Sequence, residues 1–266
     1  MESKAYEYMD WPRIEAVVYG EEASPKDVMA PRLTTDGVLI QGFFPEADKT
    51  EVLVGSRKYE MEQEDEAGYF AAMIPGRKIP DYKYRVTKGE ETKEFADPYA
   101  FSGQITEAEE KAFCAGVYYH AYEKLGAHPM KINGVKGTSF AVWAPNAMRV
   151  SVVGDFNAWD GRCHAMHRMP MSGIFELFIP DVKAGDIYKY ELKLKGNRIE
   201  LKSDPYAACT EVPPANASVV TDTQKEAINL GREISRNQRG ELFIHGVDGK
   251  IRARDSHGND PYPPRG

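Results

Sequence analysis

Little in this chain would place it in a bilayer, an oxidising compartment or on a polyanion. No uninterrupted apolar run approaches the roughly 20 residues that span a membrane, and Met1-Glu2-Ser3-Lys4-Ala5-Tyr6 has no hydrophobic stretch of a signal peptide. A soluble, cytoplasmic protein is expected. The three cysteines, Cys114, Cys163 and Cys209, are odd in number and far apart, which suits reduced thiols better than a disulfide framework. A formal charge of −7 without a Lys/Arg stripe argues against nucleic acid and anionic membrane as partners. No phosphate loop, nucleophile elbow or dinucleotide fingerprint occurs, so no cofactor is expected. Cys163-His164-Ala165-Met166-His167 offers soft and imidazole ligands within five residues but no evident fourth one, and no metal is expected there.

What the chain does have is one pattern written twice. Gly37, Phe43-Phe44-Pro45-Glu46-Ala47, Glu51-Val52-Leu53-Val54-Gly55, Gly68-Tyr69-Phe70, Tyr82-Lys83-Tyr84 and Asp97-Pro98-Tyr99-Ala100 form the first copy. Gly137, Val142-Trp143-Ala144-Pro145-Asn146-Ala147, Val150-Ser151-Val152-Val153-Gly154, Gly173-Ile174-Phe175, Tyr188-Lys189-Tyr190 and Asp204-Pro205-Tyr206-Ala207 form the second. The order is kept and the spacing drifts only slightly, so the two stretches are copies of one domain. An apolar content of 42% allows each a core of its own.

Each copy reads as β-sandwich: short β-branched or aromatic runs separated by Gly, Pro and Asp turns about every 8–12 residues. The fold class expected is mainly β, two tandem immunoglobulin-like β-sandwiches joined by a short helical linker and followed by a helix-plus-hairpin tail. The strict alternation of Tyr188-Lys189-Tyr190-Glu191-Leu192-Lys193-Leu194 puts one face in the core and the other in solvent, so Lys189 points outward. Thr106-Glu107-Ala108-Glu109 is a capping box that starts the linker helix. In the tail, Thr223-Gln224-Lys225-Glu226 is another, and Asp248-Gly249 is the dipeptide of a tight hairpin turn. The expected division is an extension (1–12), a first sandwich (13–103), a linker and entry segment (104–130), a second sandwich (131–221) and the tail (222–266).

Four segments carry a resemblance. Tyr122-Glu123-Lys124-Leu125-Gly126-Ala127-His128-Pro129, Phe140-Ala141-Val142-Trp143-Ala144-Pro145-Asn146-Ala147, Gly154-Asp155-Phe156-Asn157-Ala158-Trp159-Asp160-Gly161 and Ser203-Asp204-Pro205-Tyr206-Ala207 together resemble the N-terminal region of bacterial 1,4-α-glucan (glycogen) branching enzymes. The resemblance implies a degenerate N-terminal sandwich, then a family 48 carbohydrate-binding module, with a catalytic (β/α)8 barrel to follow. Only 46 residues come after Val220, and among the acids of the two sandwiches no motif places the paired carboxylates that glycoside chemistry needs. As it stands, the chain is expected to be non-catalytic. Those last residues resemble the C-terminal half of a small bacterial domain of unknown function, and the junction reads as a gene fusion, a natural recombinant or an assembled chimera.

The partner implied is α-1,4/α-1,6-glucan, that is glycogen and maltooligosaccharides. Pyranose rings expose apolar faces rimmed by hydroxyls, so a binding surface wants a flat ring and a few polar groups. Trp159 lies in a polar turn that does not force its burial, and by the resemblance it occupies a sugar-stacking position. The other reading is an indole folded back on its own turn. Lys189 matches the family's sugar-hydroxyl donor, and Asn216 falls where the family places a polar sugar contact. Some members carry a second tryptophan where this chain has Ile199, which leaves one aromatic platform and an affinity of roughly millimolar to high micromolar. The first copy has Gly55-Ser56-Arg57-Lys58-Tyr59 at the equivalent turn and is expected not to bind sugar there. Trp143, Trp11, His120 and His128 are read as packing residues, and the Cys163–His167 stretch as a surface loop. The alternative function is a truncated or chimeric branching-enzyme piece that binds little glucan and docks onto a catalytic barrel supplied elsewhere.

Overall fold

The computed structural model describes residues 4–211, 213–222, 224–238, 241–245 and 251–256. Two short helices, α1 (Trp11–Val18) and α2 (Lys26–Met29), precede the first sandwich. Its strands are β1 (Arg32–Leu33), β2 (Val38–Phe43), β3 (Lys49–Val54), β4 (Arg57–Glu60), β5 (Glu62–Asp65), β6 (Tyr69–Ile74), β7 (Lys83–Lys88) and β8 (Glu91–Phe95). They form two antiparallel sheets in the orders β1-β2-β6-β5 and β4-β3-β7-β8.

The linker helix α3 (Glu107–Cys114) has the expected capping box, with Thr106 and Glu109 each accepting the other's backbone N–H. The second sandwich follows with β9 (Gly126–Ile132), β10 (Val135–Trp143), β11 (Arg149–Gly154), β12 (His167–Arg168), β13 (Ile174–Pro180), β14 (Ile187–Leu194), β15 (Arg198–Lys202), β16 (Cys209–Thr210) and β17 (Ser218–Val219). One sheet runs β12-β13-β10-β9; the other runs β11-β14-β17-β16, with β15 also paired to β14. The tail is a helix, α4 (Gln224–Gln238), packed on β16, and an antiparallel hairpin of β18 (Glu241–His245) and β19 (Ile251–Ser256). Thr223 and the Asp248-Gly249 turn lie outside the described residues.

The duplication extends to the buried polar groups. In the first sandwich Asp97, 1% exposed, accepts the Tyr82 hydroxyl at 2.5 Å, and the Tyr84 hydroxyl lies 3.1 Å from the same oxygen. In the second, Asp204 accepts Tyr188 at 2.7 Å and Tyr190 at 3.0 Å. The other carboxylate oxygen takes a backbone N–H two residues on, from Tyr99 and from Tyr206, at 2.8 Å in each copy. The Tyr-x-Tyr and Asp-Pro-Tyr-Ala repeats are thus two halves of one device: a carboxylate anchored in its turn and gripped by two tyrosines.

The two copies also pack on each other: the first sandwich keeps an inner core of Val38, Ile40, Val52, Phe70, Ile74 and Tyr84, and a second cluster joins the copies. Ile14, Val17, Val28 and Met29 from the N-terminal helices share one apolar cluster with Phe43, Tyr69 and Tyr99 of the first sandwich and Phe140, Val150 and Tyr188 of the second. The Tyr99 hydroxyl donates to Ala165 O at 3.0 Å, and Arg168 N to Ala23 O at 3.0 Å. Glu176 on β13 accepts Gln104 N at 2.8 Å and Ile105 N at 3.2 Å, tying the linker to the second sandwich; its burial raises its pKa. The continuous apolar run of β2 has the same origin. Every residue of it is buried, because Val38 and Ile40 face the inner core while Leu39 is covered by Ala5, Tyr8 and Met9 from the N-terminal segment.

Coverage from outside also corrects the reading of β14. Alternation holds on the core side, where Tyr188 and Tyr190 are buried, but the opposite face is not simply solvent. Lys193 is 7% exposed and donates to Tyr19 O at 3.4 Å and Glu21 at 3.1 Å. Arg149, 2% exposed on neighbouring β11, pairs with Glu191 at 2.5 Å and also donates to Ser151 Oγ and Gly161 O. The loop after α1 and the 155–165 segment lie over this face. A period-2 pattern shows which residues share a face, not what lies above it.

Candidate glucan-binding site

The Asp155–Gly161 turn is built on the end of β11. Gly154 N donates to Asn157 Oδ1 at 3.0 Å, and Asn157 Nδ2 donates to Val152 O at 2.8 Å, so one side chain clamps the chain before and inside the turn. Trp159 N then closes it on Gly154 O at 3.0 Å. Ala158 and Trp159 are both left-handed, at φ 52° and 61°. Neither is glycine, so the turn holds two residues in a conformation that L side chains rarely adopt. Gly161 ends the motif because it must: a Cβ there would lie 2.0 Å from the Glu191 carboxylate that Arg149 holds.

Trp159 is half-buried, and its indole N–H donates to Asp155 Oδ1 at 2.8 Å. The side chain therefore leans back along its own turn, as the packing alternative required, while keeping open surface. Lys189 and Asn216, 27 residues apart in sequence, are brought together: Lys189 Nζ donates to Asn216 Oδ1 at 2.5 Å, and Asn216 O accepts the Ser203 hydroxyl at 2.5 Å. The turn and this pair share one end of the sheet, since Gly154 pairs with Tyr188 and Val153 with Lys189. Lys189 is half-buried, a held ammonium rather than a free surface lysine, and Asn216 is exposed. Ile199 is 55% exposed on β15, across from Lys193.

Several residues fall elsewhere than expected. Trp143 is 54% exposed, with its N–H on Ser172 O at 2.9 Å and only an edge contact to Phe113. β10 runs to the rim of the sandwich, so its last side chain passes the edge of the core. His120 is also exposed, 3.3 Å from Glu123, whereas His128 is half-buried against Leu125 O at 3.0 Å. The Cys163–His167 stretch is not a surface loop: Ala165 and Met166 are buried, and the Cys163 thiol is pushed up to about 12 by burial. Its His164 retains some accessible surface, yet is packed closely enough that burial lowers its pKa to about 4. Among the described residues no three His, Cys, Asp or Glu side chains converge as a metal site. No helix among them is long and apolar enough to cross a membrane.

Fold and turn together define the class: tandem antiparallel sandwiches, the second of the carbohydrate-binding-module type. Residues 124–207 match carbohydrate-binding module 48, described as the isoamylase N-terminal domain, and residues 10–99 match the N-terminal domain of α-1,4-glucan branching enzyme GlgB. The chain thus carries the N-terminal region of a bacterial branching enzyme, followed over residues 211–257 by a match to an uncharacterized protein conserved in bacteria. It is 42% identical over 222 residues to the 1,4-α-glucan branching enzyme GlgB of Cereibacter sphaeroides, covering 82% of this chain and 30% of that protein. To the enzyme of Synechococcus elongatus it is 38% identical over 220 residues, covering 80% and 28%. The chain therefore spans under a third of the length of these relatives. Among solved structures, pullulanase complexed with maltotetraose from Anoxybacillus sp. LM18-11 covers 73% of this chain at 20% identity, with a TM-score of 0.31.

Proposed function

We propose that this chain binds α-glucan, glycogen or maltooligosaccharide, without acting on it, through Trp159, Lys189 and Asn216 on the second sandwich. The observation that carries this reading is the Lys189–Asn216 contact at the sheet end from which the Trp159 turn departs. An apolar pyranose face stacks on the indole, while the ammonium and the amide take the hydroxyl rim. Asp155 fixes the indole before the sugar arrives, which lowers the ordering cost of binding. In native affinity electrophoresis, glycogen in the gel should retard the protein and maltotriose should reverse the retardation. Trp159→Ala should weaken binding roughly tenfold or more, the order expected for loss of an aromatic platform. Equal migration of the folded protein with and without glycogen overturns the reading.

A second role rests on a different surface. Val117, Tyr119, Tyr122, Trp143 and Met171 are each about half exposed or more, Tyr119 at 80%, around α3 and the rim of β10. A group of large apolar residues of this kind suits packing against another domain, and the catalytic barrel of a branching enzyme is the partner we assign to it. Sedimentation velocity should show weak self-association through this surface, reduced in Tyr119→Ser/Trp143→Ser. A strictly monomeric wild type at high concentration counts against it.

A further inference from the structure

A cleft of about 420 Å³ opens between the two sandwiches. The first sandwich contributes Phe44 and Phe95 to its wall; the second contributes Phe156, Asn157, His164 and Asp181. Phe156 and Asn157 belong to the same turn as Trp159, so this turn faces the cleft with one set of residues and carries the candidate surface site with another. The size lies within the range of small-molecule sites.

The polar groups narrow the ligand. Asn157 Oδ1 accepts Gly154 N–H, which orients the amide so that its Nδ2 donates to His164 Nδ1 at 2.9 Å. His164 Nε2 then carries the ring proton, and it has no hydrogen-bond partner among the described residues. Low basicity keeps that ring a neutral donor at pH 7. Of the charged residues along the wall, Glu94 is paired with Arg85 at 2.5 Å, Lys93 lies 3.1 Å from Glu91, and buried Asp97 is engaged by Tyr82, Tyr84 and Tyr99, which leaves Asp181 as the open carboxylate and offers an anion no unpaired cation among the described lining residues. A purely apolar ligand would leave the histidine N–H and the Asp181 carboxylate unused. A neutral molecule with apolar faces and many hydroxyls uses both.

We infer that the cleft is a second α-glucan subsite, taking a maltose-sized segment between Phe44 and Phe95 on one side and Phe156 on the other, with His164 Nε2–H donating to a sugar oxygen. This rests on the reading that the chain binds α-glucan and adds a site to which both sandwiches contribute. The first sandwich, without a tryptophan turn of its own, then binds sugar by walling the cleft.

Maltotriose titrated into isotopically labelled full-length protein separates the two sites by NMR. The Trp159 indole N–H reports the surface site; the His164 ring and the Val86 methyls, which also line the cleft, report the second. Saturable shifts are expected at both, and the cleft shifts should persist in Trp159→Ala. His164→Ala should weaken the midpoint read from Val86 roughly three- to tenfold, the loss of one hydrogen bond, and leave the Trp159 midpoint unchanged. If only the indole responds up to about 20 mM sugar, well above the expected range, the cleft proposal fails and the surface reading stands. If the indole stays still and the cleft signals move, the surface reading fails instead. Cleft shifts that vanish in Trp159→Ala, or a Val86 midpoint unmoved by His164→Ala, also overturn the proposal.

Discussion

Asp204→Ala should unfold with about 3–5 kcal/mol less free energy than wild type at pH 7, a drop of roughly 10 °C in melting temperature. The carboxylate collects the hydroxyls of Tyr188 and Tyr190 and the N–H of Tyr206, and it is 5% exposed. Truncation takes the carboxylate acceptor from all three and leaves Tyr190 only a long contact to Ala141 O at 3.5 Å, and each buried unsatisfied group costs about 1–3 kcal/mol. The equivalent carboxylate in the first sandwich gives this prediction a pH signature. Burial raises Asp97 from 3.8 to about 6 despite the hydrogen bonds that favour its charged form. Because the folded-state pKa lies above the unfolded one, the native state binds the proton more tightly. The contribution is fully present below about pH 4, is lost as pH rises toward 6, and is flat above that, about 3 kcal/mol over the window. Asp204 is shifted in the same direction for the same reason and adds to the slope. Asp97→Asn should flatten its share of the profile. It should cost far less than Asp97→Ala, because the amide keeps one oxygen acceptor for the turn while the Tyr84 hydroxyl retains Gln41 O, 2.7 Å away. Chemical denaturation at pH 4, 5, 6 and 7 measures both effects; a profile of Asp97→Asn parallel to wild type throughout would contradict the assignment.

Arg149→Met should be comparably severe, about 3–5 kcal/mol, although it trades a cation for an apolar side chain in a buried position. Arg149 and Glu191 are 3% and 15% exposed and pair at 2.5 Å, so removing the guanidinium strands a carboxylate under the 155–165 segment. Gly161 O loses its donor in the same step, and the turn that carries Trp159 loses its footing. The double variant Arg149→Met/Glu191→Leu should recover most of the loss, since a buried ion pair is often no better than well-packed apolar groups. Equilibrium unfolding of the three proteins forms the cycle; a double variant as unstable as Arg149→Met alone would show that the arginine acts through Gly161 and Ser151 instead. Glucan affinity should fall in Arg149→Met and return in part in the double variant, because the turn then rests on a packed surface again.

The strands, the sandwich class and the linker helix were legible because their signals are local or repeated. Capping at Thr106 needs only four residues, and alternation in β14 needs seven. The contact of Lys189 with Asn216 had no local signal; only the resemblance to carbohydrate-binding modules pointed to both residues. His164 escaped notice as anything but a weak metal ligand, because its role depends on Asn157 and on walls supplied by the other sandwich. Arg149 carried no signal in the sequence beyond its place at the head of a strand. Its burial comes from the loop after α1, more than a hundred residues earlier, approaching at Gly20.

By itself the sequence determined the β class, the duplication with its recurring Tyr-x-Tyr and Asp-Pro-Tyr-Ala motifs, and, through the resemblance to branching enzymes, the family of the first two domains. The class and the duplication follow from periodicity, turn chemistry and recurrence, which act over a few residues. The tertiary structure alone decided that the tyrosines close on one buried carboxylate in each copy, that an apolar cluster joins the copies, that the outer face of β14 is roofed, and that a cleft lies between the sandwiches. Burial is a property of what packs against a face, and here the packing partners come from the far end of the chain or from the other copy.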